Sequence, residues 1–257
     1  MSLSIWLRRA GKMKMLQNLR SVFILAYMFS ILWIVRNLLS LIYLFFAPFT
    51  VLFLLYALVG SEVLPYALVG AYVMTLVQAG SAIIGDAAWH KLELKFQDMI
   101  VASPVSEVAY LLAEALSELL YSAPALLILS SLILHFRPDI FTLGNLLAIT
   151  VLVWLLTSSL GFFISTYIPN IRNAWQVSLL IGLILAVLPP VFYPIERIPE
   201  NLLWAAYIPP TAHAALILRN SIGFTSNLDV TYSWIILLAY TVAFLALATY
   251  RAQWREK

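Results

Sequence analysis

Long apolar runs separated by short polar islands set the layout of this chain. Runs long enough to cross about 30 Å of hydrocarbon as helices occur at about 38–59, 64–85, 107–136, 143–168, 175–193 and 231–250. They predict six transmembrane helices. A further apolar stretch, SVFILAYMFSILWIV at 21–35, is short for a span and bracketed by Arg20 and Arg36, which suits a helix lying in the interface. Ahead of it, Arg8, Arg9, Lys12 and Lys14 interleave with Leu3, Ile5, Trp6, Met13 and Leu16, the pattern of an amphipathic helix on the cytoplasmic surface and not of a cleaved signal. The expected fold is an all-α polytopic membrane protein with one transmembrane domain over 1–257. It divides into interfacial amphipathic helices at 1–37, a six-span bundle at 38–250 and a cytoplasmic tail at 251–257.

The longest polar island, DAAWHKLELKFQDMIVASPVS at 86–106, lies between the second and third runs. Leu92, Phe96 and Ile100 recur at four-residue steps, with Leu94 and Val101 nearby, opposite Lys91, Glu93, Lys95, Gln97 and Asp98. That spacing predicts a short amphipathic helix; a solvated connecting loop is the alternative. Pro104 disfavours helix at Ser103, and Ser106 is a natural N-cap for the third span. The third span carries Glu107, Glu114 and Glu118 on one face. Carboxylates at membrane depth are costly, so Glu114 and Glu118 either face a pathway or lie wet in the headgroup region. Small residues at Ala79, Gly80, Ser81, Ala82 and Gly85 suit close helix packing, and Gly182 and Ala186 are candidate contacts with a second copy. Residues 194–230 are too apolar for an ordinary loop and too interrupted by proline for a span. They fit short helices dipping into the outer leaflet, with Trp204 and Tyr207 at headgroup level and His213 and Arg219 as interfacial anchors.

Charge fixes the orientation. With six spans, Arg8, Arg9, Lys12, Lys14, Arg20, Arg36, Lys91, Lys95, Arg172, Arg251, Arg255 and Lys257 fall on one side, leaving Arg137, Arg197 and Arg219 opposite. That basic side is the cytoplasm, and a seventh span would separate the two basic termini. The net charge of +3 reflects this asymmetry and makes no case for nucleic acid. Without cysteine the chain has no thiol nucleophile or disulfide. The Gly11-Lys12 pair lacks the rest of a phosphate-binding loop, and His90, His135 and His213 lie too far apart in sequence for a ligand motif, so no catalytic residue, metal site or bound cofactor is expected.

These features resemble the type-2 ABC transporter permease family. Its members carry a cytoplasmic helix after the second span that ends in a small-residue-Pro-Val/Ile-Ser turn, here LELKFQDMIVASPVS, and a proline-rich break after the fifth, here PPVFYPIERIPENLLWAAYIPP. The resemblance implies the permease subunit of an exporter in the cell membrane. Two copies would form the substrate pathway among membrane lipids and dock on a separate ATPase subunit that binds ATP and Mg. Glu93 and Asp98 match acidic positions of the coupling helix, and Ser103, Pro104 and Ser106 match its terminating turn. Lys91, Leu92, Lys95 and Phe96 complete the candidate ATPase-coupling segment, and Glu114 and Glu118 remain pathway or interfacial acids. The competing class is a polytopic membrane enzyme acting on lipids, with Glu114, Glu118 and Asp86 as its acids.

Overall fold

The computed structural model describes the backbone of residues 3–224 and 229–251, with the side chains of those from 16 to 250 except 41, 43 and 97. The N-terminal basic cluster, Gln97 and the tail beyond Arg251 lie outside these described side chains. Eleven α-helices and no strands occur among the described residues. They are α1 (Leu3–Phe29), α2 (Ile31–Arg36), α3 (Leu39–Val59), α4 (Leu64–Leu92), α5 (Phe96–Val101), α6 (Glu107–Phe136), α7 (Ile140–Ser165), α8 (Ile171–Ala186), α9 (Leu203–Ala206), α10 (Pro210–Ser221) and α11 (Val230–Arg251).

The bundle is built around α4. Nearly every residue from Ala67 to Ala88 on it is buried, because α3, α6, α7, α8 and α10 all pack against it. The small residues at 79–85 make that crowding possible. A Cβ at Gly80 would lie 1.9 Å from the Thr157 hydroxyl, one at Gly161 would lie 2.4 Å from the Gly80 carbonyl, and one at Gly85 would meet the Trp175 indole at 2.5 Å. Helix axes can come this close only where side chains are missing. Polar bonds reinforce the seams: Ser178 donates to the Ser81 carbonyl at 2.8 Å, and the Trp154 indole N–H donates to the Ala115 carbonyl at 2.7 Å.

Five described helical stretches are long and apolar enough to cross a membrane: Leu16–Arg36, Ser61–Leu92, Glu107–Phe136, Ile140–Ser165 and Val230–Tyr250. The set includes the segment read as interfacial from sequence. Leu44–Val59 and Ile171–Ala186, within two of the six expected spans, are shorter apolar helices.

Four expectations need correction. The island at 86–106 does not begin a helix of its own: α4 runs unbroken to Leu92, and α5 covers only Phe96–Val101. Asp86 and His90 keep α4 helical because they have partners on α6, described below. Gly182 and Ala186 face their own chain; a Cβ at Gly182 would lie 3.3 Å from Ser81 Oγ, and Ala186 is 1% exposed. The second helix expected within 194–230, α10, does not lie on lipid, since Pro210 to Arg219 are buried between α4, α7 and α11. His213 and Arg219 are accordingly structural. His213 Nε2–H donates to the Tyr207 carbonyl at 2.9 Å, leaving Nδ1 to accept from the Ser233 hydroxyl at 3.2 Å. The Arg219 guanidinium donates to the carbonyls of Tyr193 at 3.1 Å, Pro190 at 3.0 Å and Val191, and lies over the Tyr66 ring at 4.9 Å. Prolines 189 and 190 lack the N–H groups that would bond the Leu185 and Ala186 carbonyls at the end of α8; the Thr211 hydroxyl donates to the first of these, and Arg219 supplies donors to the carbonyls of the turn that follows. Burial pulls its pKa down to about 10, so it remains a cation at neutral pH.

Candidate functional site: the α4–α6 connection and the polar cluster behind it

The connection turns at Lys95, which holds φ 52° and is the one non-glycine residue with positive φ among the described residues. That left-handed position costs about 1 kcal/mol for a residue with a Cβ, so the neighbouring contacts must hold it. They are visible on α5. Ile100 is buried with Val22, Leu25, Ala109 and Tyr110, and Phe96 packs edge-on to Phe29 at 5.4 Å between ring centroids. At the far end Ser103 closes a local turn, donating to the Ile100 carbonyl at 2.7 Å and accepting from Val105 N–H at 3.2 Å. Ser106 caps α6, its hydroxyl accepting from Ala109 N–H at 3.3 Å, while its own N–H donates to Asn18 Oδ1 of α1 at 3.4 Å.

These contacts divide the expected coupling residues into two faces. Leu92, Phe96 and Ile100, the expected apolar face of the island, all pack against their own chain; Leu92 joins a cluster with Ile84, Ala88 and Ala174. Lys91 is half-buried at the end of α4, and Ser103 and Ser106 are half-buried in the turn. The outward face consists of Glu93, Leu94, Lys95, Asp98, Met99, Ala102 and Pro104. Met99 is 59% and Leu94 49% exposed, so the large apolar side chains of the connection available to a partner are these two and not Phe96.

Directly behind α5 lies a polar cluster that sequence reasoning treated only in pieces. His90 Nδ1–H donates to Glu114 Oε1 at 2.7 Å, and Glu114 is 1% exposed, which removes the wet-headgroup reading for this acid. The Tyr110 hydroxyl is directed at the Glu114 carboxyl, the Ser117 hydroxyl donates to the Glu114 carbonyl at 2.7 Å, and Asp86 and Glu118 face each other within hydrogen-bonding reach. Aromatic rings close the cluster: His90 stacks on Phe29 at 4.5 Å, lies 5.8 Å from Trp89 and approaches Phe96 at 6.1 Å. Phe96 of the connection thus touches the same imidazole that holds Glu114. The missed signal was spacing: Asp86 and His90, like Glu114 and Glu118, are four apart on helices joined by a short connection. Antiparallel helices joined in this way bring the two pairs level. Among the described residues no group of three or more His, Asp or Glu side chains is arranged to hold a metal ion.

Beyond Glu118, a cavity of about 160 Å³ opens between α3, α4, α6 and α8. Glu118, Ser122 and Tyr121 on α6, Gln78 on α4, and Trp175 and Ser178 on α8 contribute to its wall.

No curated protein and no solved structure matches the chain. Residues 60–250 match the family model described as ABC-2 family transporter protein. That match covers α4 through α11, with the connection, the polar cluster and the proline-rich break inside it. The chain therefore belongs to the ABC-2 transporter family, as a multi-pass membrane protein of the ABC transporter permease type.

Proposed function

We propose that this chain is the permease subunit of an ATP-driven exporter, working in the cell membrane as a pair of identical copies docked through the α4–α6 connection on separate ATPase subunits. One observation carries the reading. Glu93, Lys95 and Asp98 point outward together with Leu94 and Met99, while Phe96 and Ile100 fasten the same few residues to the bundle. A surface that must transmit displacement needs both a face for its partner and a rigid back, and this connection has both.

Six crossings, by α3, α4, α6, α7, α8 and α11, put both termini and the connection in the cytoplasm. Contacts of α1 and α2 support keeping them at the interface. Asn18 bonds Ser106, Phe29 meets Phe96 and His90, and Trp33 lies 6.2 Å from Trp89. Residues 18 and 29 are about 16 Å apart along a helix, yet both touch the same end of the bundle. A helix crossing the bilayer there would have left that end. Helix α8 spans only about 24 Å and reaches the outer face through the Arg219-held turn. Its exposed Leu179, Leu180, Leu183 and Ile184 are the candidate contacts with a second copy, in place of Gly182 and Ala186.

The test is affinity purification of the full-length chain from its native membrane in mild detergent. An ATP-hydrolysing subunit retained in equal number to the permease, with two permeases per particle by mass, is the expected result. A particle with no ATPase would overturn the reading.

A further inference from the structure

We propose that the cavity beside Glu118 binds the protonated amine head of an amphipathic organic cation, with the hydrogen-bonded Glu118–Asp86 carboxyl pair as counter-charge. This rests on the permease reading above and names a substrate or ligand class for it. Size comes first. A cavity of about 160 Å³ is close to the ~150 Å³ apolar cavity that accommodates benzene, and well under the several hundred Å³ of a drug-sized site. It can hold a head group or a single ring. The rest of the molecule must lie outside, and the exposed Leu179 and Leu183 at the rim offer an apolar surface for a chain or ring system.

The chemistry of the wall selects a cation. Glu118 is on it, and among the described residues no Lys, Arg or His is. Behind Glu118 stands Asp86, within hydrogen-bonding reach, so the two carboxyls share a proton and carry one negative charge between them; with Glu114 paired to His90, that unbalanced charge favours a cation. A second observation is independent of these acids. Ser122 lies one turn beyond Glu118 on the same face of α6, is 2% exposed and lines the cavity, yet its hydroxyl makes no hydrogen bond among the described residues. Other serines on this helix, Ser117, Ser130 and Ser131, all donate back to carbonyls of their own helix. A buried hydroxyl left open toward a cavity is poised to accept from a ligand. The Gln78 side chain on the facing wall offers a carbonyl oxygen as a further acceptor, and Tyr121 and Trp175 supply aromatic surface of the kind that attracts ammonium groups. Carboxylate, hydroxyl acceptor and aromatic ring around a head-group-sized space are complementary to an N–H-bearing ammonium.

The probe is dansylcadaverine, a primary amine on a short chain with a fluorophore at its far end, compared with its N-acetylated neutral form. Both are titrated into the full-length permease in lipid nanodiscs, and tryptophan-sensitised dansyl emission is read. The amine should bind at least tenfold more tightly than the acetylated form. Glu118→Gln should erase that difference, and Ser122→Leu, which fills the cavity and keeps the acid, should abolish saturable binding of the amine. Equal affinity for the two probes would overturn the proposal, as would unchanged amine binding in Ser122→Leu. Because no ATPase is present in this titration, a negative result leaves retention of the ATPase, the test of the permease reading, unaffected.

Discussion

His90 on α4 and Glu114 on α6 form a buried hydrogen-bonded pair at 2.7 Å, and the imidazole of that pair stacks on Phe29 and approaches Phe96. Through this residue the connection is continuous with the interior of the bundle. Removing one partner leaves the other polar group buried and unpaired, a loss of about 3 kcal/mol. His90→Ala should therefore lower the midpoint of thermal unfolding in detergent clearly, whereas His135→Ala, on an exposed residue at the other end of α6, should leave it unchanged. Equal midpoints for wild type and His90→Ala would show that the pair does not hold α4 to α6.

Arg219→Met should open the turn that follows α8. The substitution keeps side-chain bulk but withdraws donors from the carbonyls of Pro190, Val191 and Tyr193, a loss of about 3 kcal/mol for charge-assisted bonds. Limited proteolysis between 187 and 202 should become faster in the variant. A wild-type cleavage rate there would contradict the role given to the guanidinium.

Acid should loosen the same region through His213. Burial holds its pKa below the ordinary histidine value, so the folded state binds the proton less readily than the unfolded chain. Its contribution to stability is complete above about pH 6.5 and is lost as the pH falls from there through the lowered folded value. Hydrogen exchange of the α10 amides should quicken over that window in wild type. His213→Gln, which keeps an amide to bond Tyr207 but cannot titrate, should flatten the dependence.

Much of this architecture was legible in the chain. The apolar runs located α3, α6, α7 and α11 to within about three residues because a bilayer allows few alternatives to helix, whereas α4 continues seven residues past its run and α8 stops seven residues short of the end of its own. The Ser106 cap and the tight packing at 79–85 were equally readable, since each depends on local chemistry. What escaped was tertiary. Periodicity alone placed Leu92, Phe96 and Ile100 on one face but could not say whether bundle or partner would cover it, and it is the bundle that does. Asp86 and His90 were read as part of a polar island leaving the membrane, although their partners on α6 let α4 continue through them. The aliphatic and aromatic character of 194–230 suggested lipid contact for a helix that lies inside the protein.

Topology can be read directly because the chain has no cysteine. Single cysteines at Lys95 and Arg172 should react with an impermeant maleimide only after the membrane is opened, and cysteines at Glu62 and Asp139 should react in intact cells. Labelling of residue 95 from outside would invert the orientation.

The central claim is that energy enters through the outward face of 93–104. Single neutralisation of Glu93 or Asp98 should weaken docking by no more than about 1 kcal/mol, because these acids are exposed. Phe96→Asp should disturb the bundle itself, and so cannot separate docking from folding. The most direct measurement is ATPase retention and permease-stimulated ATP hydrolysis in the reconstituted complex carrying Met99→Asp with Asp98→Lys, two changes confined to exposed side chains. The account predicts wild-type thermal stability for this permease but loss of most of the bound ATPase and of the stimulation. Wild-type retention and stimulation in that double variant would contradict it.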